Sequence, residues 1–88
     1  MSLWREDLSH SSLEEILESQ AENRVWGKEL RRKASALVNS RLAKDISQAD
    51  YLSNRDHAHE DAVEFRRRAV VLQSQLALRT SLALNGGN

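Results

Sequence analysis

The chain has 88 residues, with 13 Lys and Arg against 13 Asp and Glu, and it contains neither cysteine nor proline. This length fits one small domain, which buries roughly 60% of the surface that its unfolded chain exposes. The lack of cysteine excludes disulfides and thiolate metal sites, and a net charge of zero excludes a global attraction for nucleic acid or anionic lipid.

The sequence shows no sign of a membrane segment or a leader peptide. No apolar run reaches the roughly 18 residues that a membrane-spanning helix needs. The opening stretch MSLWREDLSH contains Glu6 and Asp7 where a signal peptide has an apolar core. We therefore expect a soluble, cytoplasmic protein that does not bind a membrane.

The N-terminal segment, residues 1–11, carries apolar side chains ahead of the first predicted helix. Trp4 and Leu8 are four residues apart, and Leu3 stands beside them. Such a segment either folds back as a lid on the helices or offers its tryptophan to a groove of a partner. The candidate partner-binding residues are accordingly Leu3, Trp4, Leu8 and Trp26.

The first long helix is predicted to begin at a Ser-x-x-Glu capping box. Ser12 precedes Glu15 by three residues, and Ser11 precedes Glu14 in the same way. In such a box the serine and glutamate side chains satisfy each other's backbone N–H groups at the helix start. Either pair places acidic residues at the positive end of the helix dipole.

An apolar stripe then follows along this helix. Its members recur at spacings of three, four and seven residues: Leu13, Ile16, Leu17, Leu30, Ala34, Leu37 and Leu42. Gln20, Asn23 and Arg24 interrupt the stripe. Gly27 costs up to about 1 kcal/mol relative to alanine within a helix. It either permits a close crossing by another helix or has no special role.

A turn is predicted at AKDISQAD, residues 43–50. Ser47 is a favourable N-cap residue, and Asp50 three residues later is typical of a helix start. Residues 52–56, LSNRD, are the alternative, because serine and asparagine also favour turns. The order of charges favours the first position.

The charges are arranged in four blocks of alternating sign. Residues 1–30 have a net charge of −4, residues 31–55 of +4, residues 56–64 of −4 and residues 65–88 of +4. Folding the chain back near residue 46 places each block against one of opposite sign. We therefore predict an antiparallel hairpin in which ion pairs across the two helices set their register and orientation.

The second helix carries a more regular seam of small and apolar side chains. The seam, which packs against the first helix or in a dimer, consists of Ala58, Ala62, Phe65, Ala69, Leu72 and Leu76. Val63, Val70 and Ala77 widen it on one side. The sequence Asn-Gly-Gly at 85–87 predicts the end of the helix and a flexible tail over residues 85–88.

The predicted fold is an all-α antiparallel helical hairpin over residues 12–84. One hairpin shows each apolar stripe to a single neighbour, so we expect a homodimer in which two hairpins form a four-helix bundle. The charge order equally allows two extended or swapped chains to pair.

Acidic residues and histidines raise the alternative of metal chemistry. His57, Asp61 and Glu64 share one helix face and have the side chains of a metal site. Glu15-x-x-Glu18 and Asp61-x-x-Glu64 have the spacing of paired acidic motifs that bind Mg²⁺ in helical nucleotide hydrolases. In the favoured register these two pairs lie roughly 20 Å or more apart. We therefore predict no catalytic residue, metal ligand or cofactor, and keep a metal-dependent nucleotide hydrolase as an alternative.

The leading interpretation is a non-catalytic helical interaction module, such as a small adaptor, regulator or secretion-type chaperone. A nucleic-acid-binding regulator is a further alternative, because local basic clusters can contact phosphates. The residues that would make these contacts are Arg31, Arg32, Lys33, Arg66, Arg67 and Arg68.

Overall fold

The computed structural model of the chain describes residues 4–86, which form two α-helices joined by a short loop. Helix α1 spans Leu13–Leu42 and helix α2 spans Gln48–Gly86, and no strand occurs in this part of the chain. The molecule measures 63 by 22 by 17 Å, whereas one uninterrupted helix over the predicted region would be about 110 Å long. The predicted all-helical hairpin is confirmed.

Of the two possible capping boxes, the one formed by Ser12 and Glu15 begins helix α1. The backbone N–H of Glu15 donates to Ser12 Oγ at 3.1 Å, and the Ser12 N–H donates to Glu15 Oε1 at 3.3 Å. The Ser11 N–H instead donates to the Leu8 carbonyl at 3.1 Å, which closes the turn before the helix. The exchange at Ser12 satisfies backbone donors that the first helical turn leaves without intrahelical partners.

The end of α1 is a Schellman motif with a lysine at the left-handed position. Lys44 has φ 61°. Its N–H donates to the Arg41 carbonyl at 3.1 Å, and the Asp45 N–H donates to the Ser40 carbonyl at 2.9 Å. Glycine is the usual residue here, because a Cβ makes the left-handed conformation unfavourable.

Helix α2 begins at the serine that the sequence predicts. Ser47 Oγ accepts a hydrogen bond from the Asp50 N–H at 3.1 Å. The Arg41 side chain crosses the loop, donates to Gln48 Oε1 and lies 6.0 Å from the centre of the Tyr51 ring. The loop occupies residues 43–47, inside the predicted stretch, while the alternative turn at 52–56 lies within α2.

The buried contacts are concentrated at the end of the hairpin that is distant from the loop. Leu8, Ile16 and Leu72 are the buried apolar side chains among residues 4–84, and Val71 and Leu76 pack against them. Within residues 28–61, the half of the hairpin nearer the loop, no residue is buried.

The two helices approach each other closely at Gly27. A Cβ built on Gly27 would lie 2.7 Å from Cε2 and Cζ of Phe65. The Phe65 ring also meets Trp26 edge to face, with 6.2 Å between the ring centres. Of the two readings that the sequence leaves open for Gly27, the structure therefore supports the close crossing.

The buried face of α1 differs from the predicted leucine stripe. Leu13, Leu17 and Leu42 are 49%, 48% and 76% exposed, whereas Ser19 and Asn23 are buried. Asn23 Nδ2 donates to the Phe65 carbonyl at 3.4 Å. Two short polar side chains of α1 thus face α2 beside the buried Ile16, so the predicted interruption of the stripe forms part of the contact.

The predicted ion pairs across the hairpin do not form within residues 4–86. The antiparallel register has the expected position, since Gln20 Nε2 donates to Gln73 Oε1 at 3.4 Å. The ion pairs instead run along a single helix or connect α2 with the N-terminal segment, and among residues 4–86 none joins α1 to α2. Packing at the seam, and not charge pairing between helices, therefore aligns the two helices.

Neither helix, over residues 4–86, includes a stretch both long enough and apolar enough to cross a membrane.

Candidate functional site

The N-terminal segment, residues 4–11, packs along the hairpin and is the first candidate site. Leu8 is 3% exposed and contributes to the core, and its carbonyl accepts a hydrogen bond from Arg79 at 2.9 Å. Asp7 Oδ1 accepts from the Ser9 N–H at 2.9 Å and from the Ser9 hydroxyl at 2.7 Å. These hydrogen bonds lower the pKa of Asp7. The N-terminal segment is thus attached to the hairpin through the side chain and the carbonyl of Leu8, while the bonds between Asp7 and Ser9 lie within the segment.

Arg68 connects the two tryptophans. Its guanidinium carbon lies 5.2 Å from the ring centre of Trp4 and 4.9 Å from that of Trp26. Arg67 lies 5.6 Å from the Trp4 ring centre. A guanidinium within about 6 Å of an indole face is attracted by the negative potential of the ring. Arg68 therefore holds the N-terminal segment against α1 through the indole rings.

Glu64 accepts hydrogen bonds from both of these arginines. Arg67 donates to both of its carboxylate oxygens, at 2.9 and 2.7 Å, and Arg68 Nε donates at 3.0 Å. These bonds, with Arg67 contributing most, lower the pKa of Glu64 to about 2. Arg67 also donates to Glu6 at 2.8 and 3.2 Å, which lowers the pKa of Glu6. The pKa of Arg67 is raised by Glu64 and Glu6 in turn.

Three of the four candidate partner-binding residues, Trp4, Leu8 and Trp26, contact other parts of the same chain. Trp4 and Trp26 are half-buried around Arg68, and Leu8 is buried. Leu3 lies outside the described residues. In this conformation the segment acts as the lid that the sequence allows, and the Leu8 side chain is not accessible to a partner.

Arg79 makes a contact with the N-terminal segment that the sequence pattern did not predict. It occupies a position on the apolar stripe of α2, where it binds the Leu8 carbonyl. An arginine on an otherwise apolar helix face is a signal in itself, because a charged group there requires a polar partner.

The seam residues of α2 face α1. Ala58, Ala62 and Phe65 line a groove together with Gly27 and Leu30 of α1. Leu72 is fully buried and Leu76 packs beside it. Ala69 lines the next groove along the hairpin. The predicted seam therefore contacts the other helix of the same chain.

The candidate nucleic-acid contacts are divided between two adjacent grooves and the N-terminal segment. Arg31 and Arg66 line one groove, whereas Lys33 lines a different groove. Arg32, which also lines that groove, pairs with Glu29 of its own helix, so that the pKa of Arg32 is raised. The remaining two, Arg67 and Arg68, bind Glu64 and the N-terminal segment as described above.

The candidate metal-binding residues do not come together as a set of three within residues 4–86. Among the described residues, no group of three or more His, Cys, Asp or Glu side chains is arranged to hold a metal ion. Glu15 caps α1, Glu64 binds two arginines, and His57 lies 3.9 Å from Glu60. Asp61 lines the groove that contains His57 and Lys33.

A second candidate site is the side of the hairpin that faces away from Trp4, which we call the open face. Val70 follows Arg68 by two residues, which is about 200° around a helix, so the two side chains point in nearly opposite directions. Val70 and Ala77 line a groove with Gln20 and Arg24 of α1. The cavity of this groove measures about 540 Å³.

Comparison with protein-family models, with curated proteins and with solved structures gives no match to this chain.

Proposed function

We propose that the protein is a non-catalytic helical interaction module that works as a homodimer, in which two hairpins pack into a four-helix bundle. The observation that carries this proposal is the balance of buried and exposed apolar side chains. Three apolar side chains are buried among residues 4–84, whereas eleven large ones remain exposed.

The exposed apolar side chains occur along the whole length of both helices. They are Leu13, Leu17, Val25, Val38, Leu42, Leu52, Val63, Val70, Leu78, Leu82 and Leu84, each at least 37% exposed. Single apolar residues are common on protein surfaces, but many of them on a thin rod support a surface that another helix covers. In long helical hairpins, packing two copies together is the usual way to bury such faces.

The electrostatics of the chain are compatible with self-association. Its net charge is zero, so two copies do not repel each other strongly. The half of the hairpin nearer the loop contains no buried residue within 28–61, and it would gain most from a second hairpin.

Sedimentation equilibrium of the purified chain at micromolar concentration tests this proposal. The expected mass is twice the 10.0 kDa of one chain. Val70→Asp should shift the protein towards monomer, because Val70 is 65% exposed and a charge is costly to bury at an apolar contact. Ser53→Asp, which adds the same charge at an exposed position nearer the loop, is the matched control.

Circular dichroism would show that both variants keep their helices. A chain that stays monomeric across the micromolar range would contradict the proposed function.

A further inference from the structure

We propose that the second copy docks antiparallel on α2, with a two-fold axis at Val63 that places Arg66 of each copy against Glu60 of the other. This inference rests on the homodimer proposed above and specifies its contact surface.

The apolar part of this surface is a line of side chains on the open face of α2. Val63, Val70 and Ala77 are seven residues apart, so they lie nearly above one another on a helix. Val63 is 51% exposed and Val70 is 65% exposed. With the two-fold axis at Val63, Val63 of one copy meets Val63 of the other, while Val70 lies at the level of Asp56 and Ala77 at the level of Ala49 of the other copy.

The charged part of the surface consists of side chains that form no ion pair with α1 among the described residues. Arg66 forms no ion pair within residues 4–86, although its neighbours Arg67 and Arg68 both bind Glu64. Glu60 is 77% exposed and has a 3.9 Å contact with His57. Glu64 of the acidic block of α2, residues 56–64, is used within the chain by Arg67 and Arg68. In the part of the chain that the structure describes, Glu60 and Arg66 are matched neither by these arginines nor by α1, so these two charges are available to a second copy.

Symmetry then fixes the alignment. In a two-fold contact, residue i meets residue j of the other copy, and j meets i. Glu60 precedes Val63 by three residues and Arg66 follows it by three. An axis at Val63 therefore places Glu60 of one copy opposite Arg66 of the other. The same axis places residues 56–61 of one copy beside residues 65–70 of the other, whereas a parallel alignment would place like charges together.

Single cysteines provide a direct test, because the natural chain has none. In full-length Val63→Cys, the two thiols lie across the axis and should form a disulfide-linked dimer under mild oxidation. Val25→Cys, where Val25 is 67% exposed on α1, is the control and should give at least fivefold less cross-linked dimer.

Charge reversal tests the ion pair separately. Arg66→Glu and Glu60→Arg should each weaken dimerisation at least tenfold, and the double variant should return the dissociation constant to within about threefold of the natural one. Lys28→Glu makes the same change in net charge as Arg66→Glu, but at an exposed site of α1, and should leave dimerisation within twofold.

The two proposals fail in different ways. A natural chain that does not dimerise contradicts both of them. A dimer in which Val63→Cys cross-links no better than Val25→Cys, or in which the double charge variant is weaker than either single variant, overturns the alignment at Val63 and leaves the interaction module in place.

Discussion

The ring of Phe65 lies so close to the backbone of Gly27 that any side chain at position 27 would collide with it. A Cβ there would be 2.7 Å from two ring carbons, and the ring is also held edge to face by Trp26. This contact, between a residue in the middle of α1 and the bulkiest member of the seam, fixes the distance between the helices.

Gly27→Ala should therefore destabilise the hairpin, although alanine is the better helix former. The gain in helix propensity is up to about 1 kcal/mol, whereas overpacking a tight contact costs about 1–3 kcal/mol. We expect the free energy of unfolding, measured in urea, to fall by about 1 kcal/mol on balance.

The Phe65→Leu background provides the control for this prediction, because leucine lacks the ring carbons that collide. In that background Gly27→Ala should be neutral or stabilising. An equal loss of stability in both backgrounds would show that the contact with Phe65 is not the cause.

The left-handed backbone at Lys44 predicts a stabilising substitution. A residue with a Cβ pays about 1–2 kcal/mol in this conformation, while glycine gives back part of the gain through its freer unfolded chain. Lys44→Gly should raise the free energy of unfolding by about 0.5–1 kcal/mol. Lys44→Ala keeps the Cβ, and a gain as large as that of glycine would rule out the backbone explanation.

Acid should weaken the attachment of the N-terminal segment through Glu64. The folded-state pKa of Glu64 is about 2, below its ordinary value of 4.5, so its bonds to the arginines stabilise the fold fully above about pH 5 and less as the pH falls towards 2. Tryptophan fluorescence during an acid titration should report the release of Trp4 from the arginines.

Glu64→Gln should remove much of this pH dependence, because its side chain does not ionise. Glu18→Gln, which changes an exposed carboxylate on α1, should leave the titration as it is in the natural chain. A Glu64→Gln curve that coincides with the natural one would assign the acid effect to other groups.

Spin labels on Arg32→Cys and His59→Cys should measure the hairpin within one chain. Helix axes in contact are about 8–10 Å apart, so the labels should be within about 25 Å, whereas 27 residues of straight helix would separate them by about 40 Å. The short distance should persist after dilution with excess unlabelled chain. If it is lost on dilution, the helices pair between chains.

The N-caps of the two helices were predictable from the sequence, because capping depends on a few neighbouring residues. Ser12 with Glu15 and Ser47 with Asp50 cap the two helices as expected. The left-handed Lys44 carries no such signal, since glycine or asparagine is the residue that usually marks this position.

The partners of the charged residues were less predictable. The block pattern predicts pairing across the hairpin, but Arg67 and Arg68 follow Glu64 by three and four residues, and neighbours at this spacing meet on the same helix. These local partners are already close, so Glu64 pairs along α2. The burial of Ser19 and Asn23 could not be predicted either. Hydrophobic periodicity assigns polar residues to the exposed side of a helix, even where another helix covers them.

The position of the core also bears on how fast the chain folds. Ile16 and Leu72 are fully buried together but lie far apart in sequence, and no residue near the loop is buried between 28 and 61. Closing a loop of 56 residues costs about 1.5 kcal/mol more than closing one of ten residues. Pairing of the helices outward from the loop therefore gains little free energy from burial until the two ends meet. This hairpin should fold more slowly than others of its contact order, and the collapse of its ends should be the rate-limiting step.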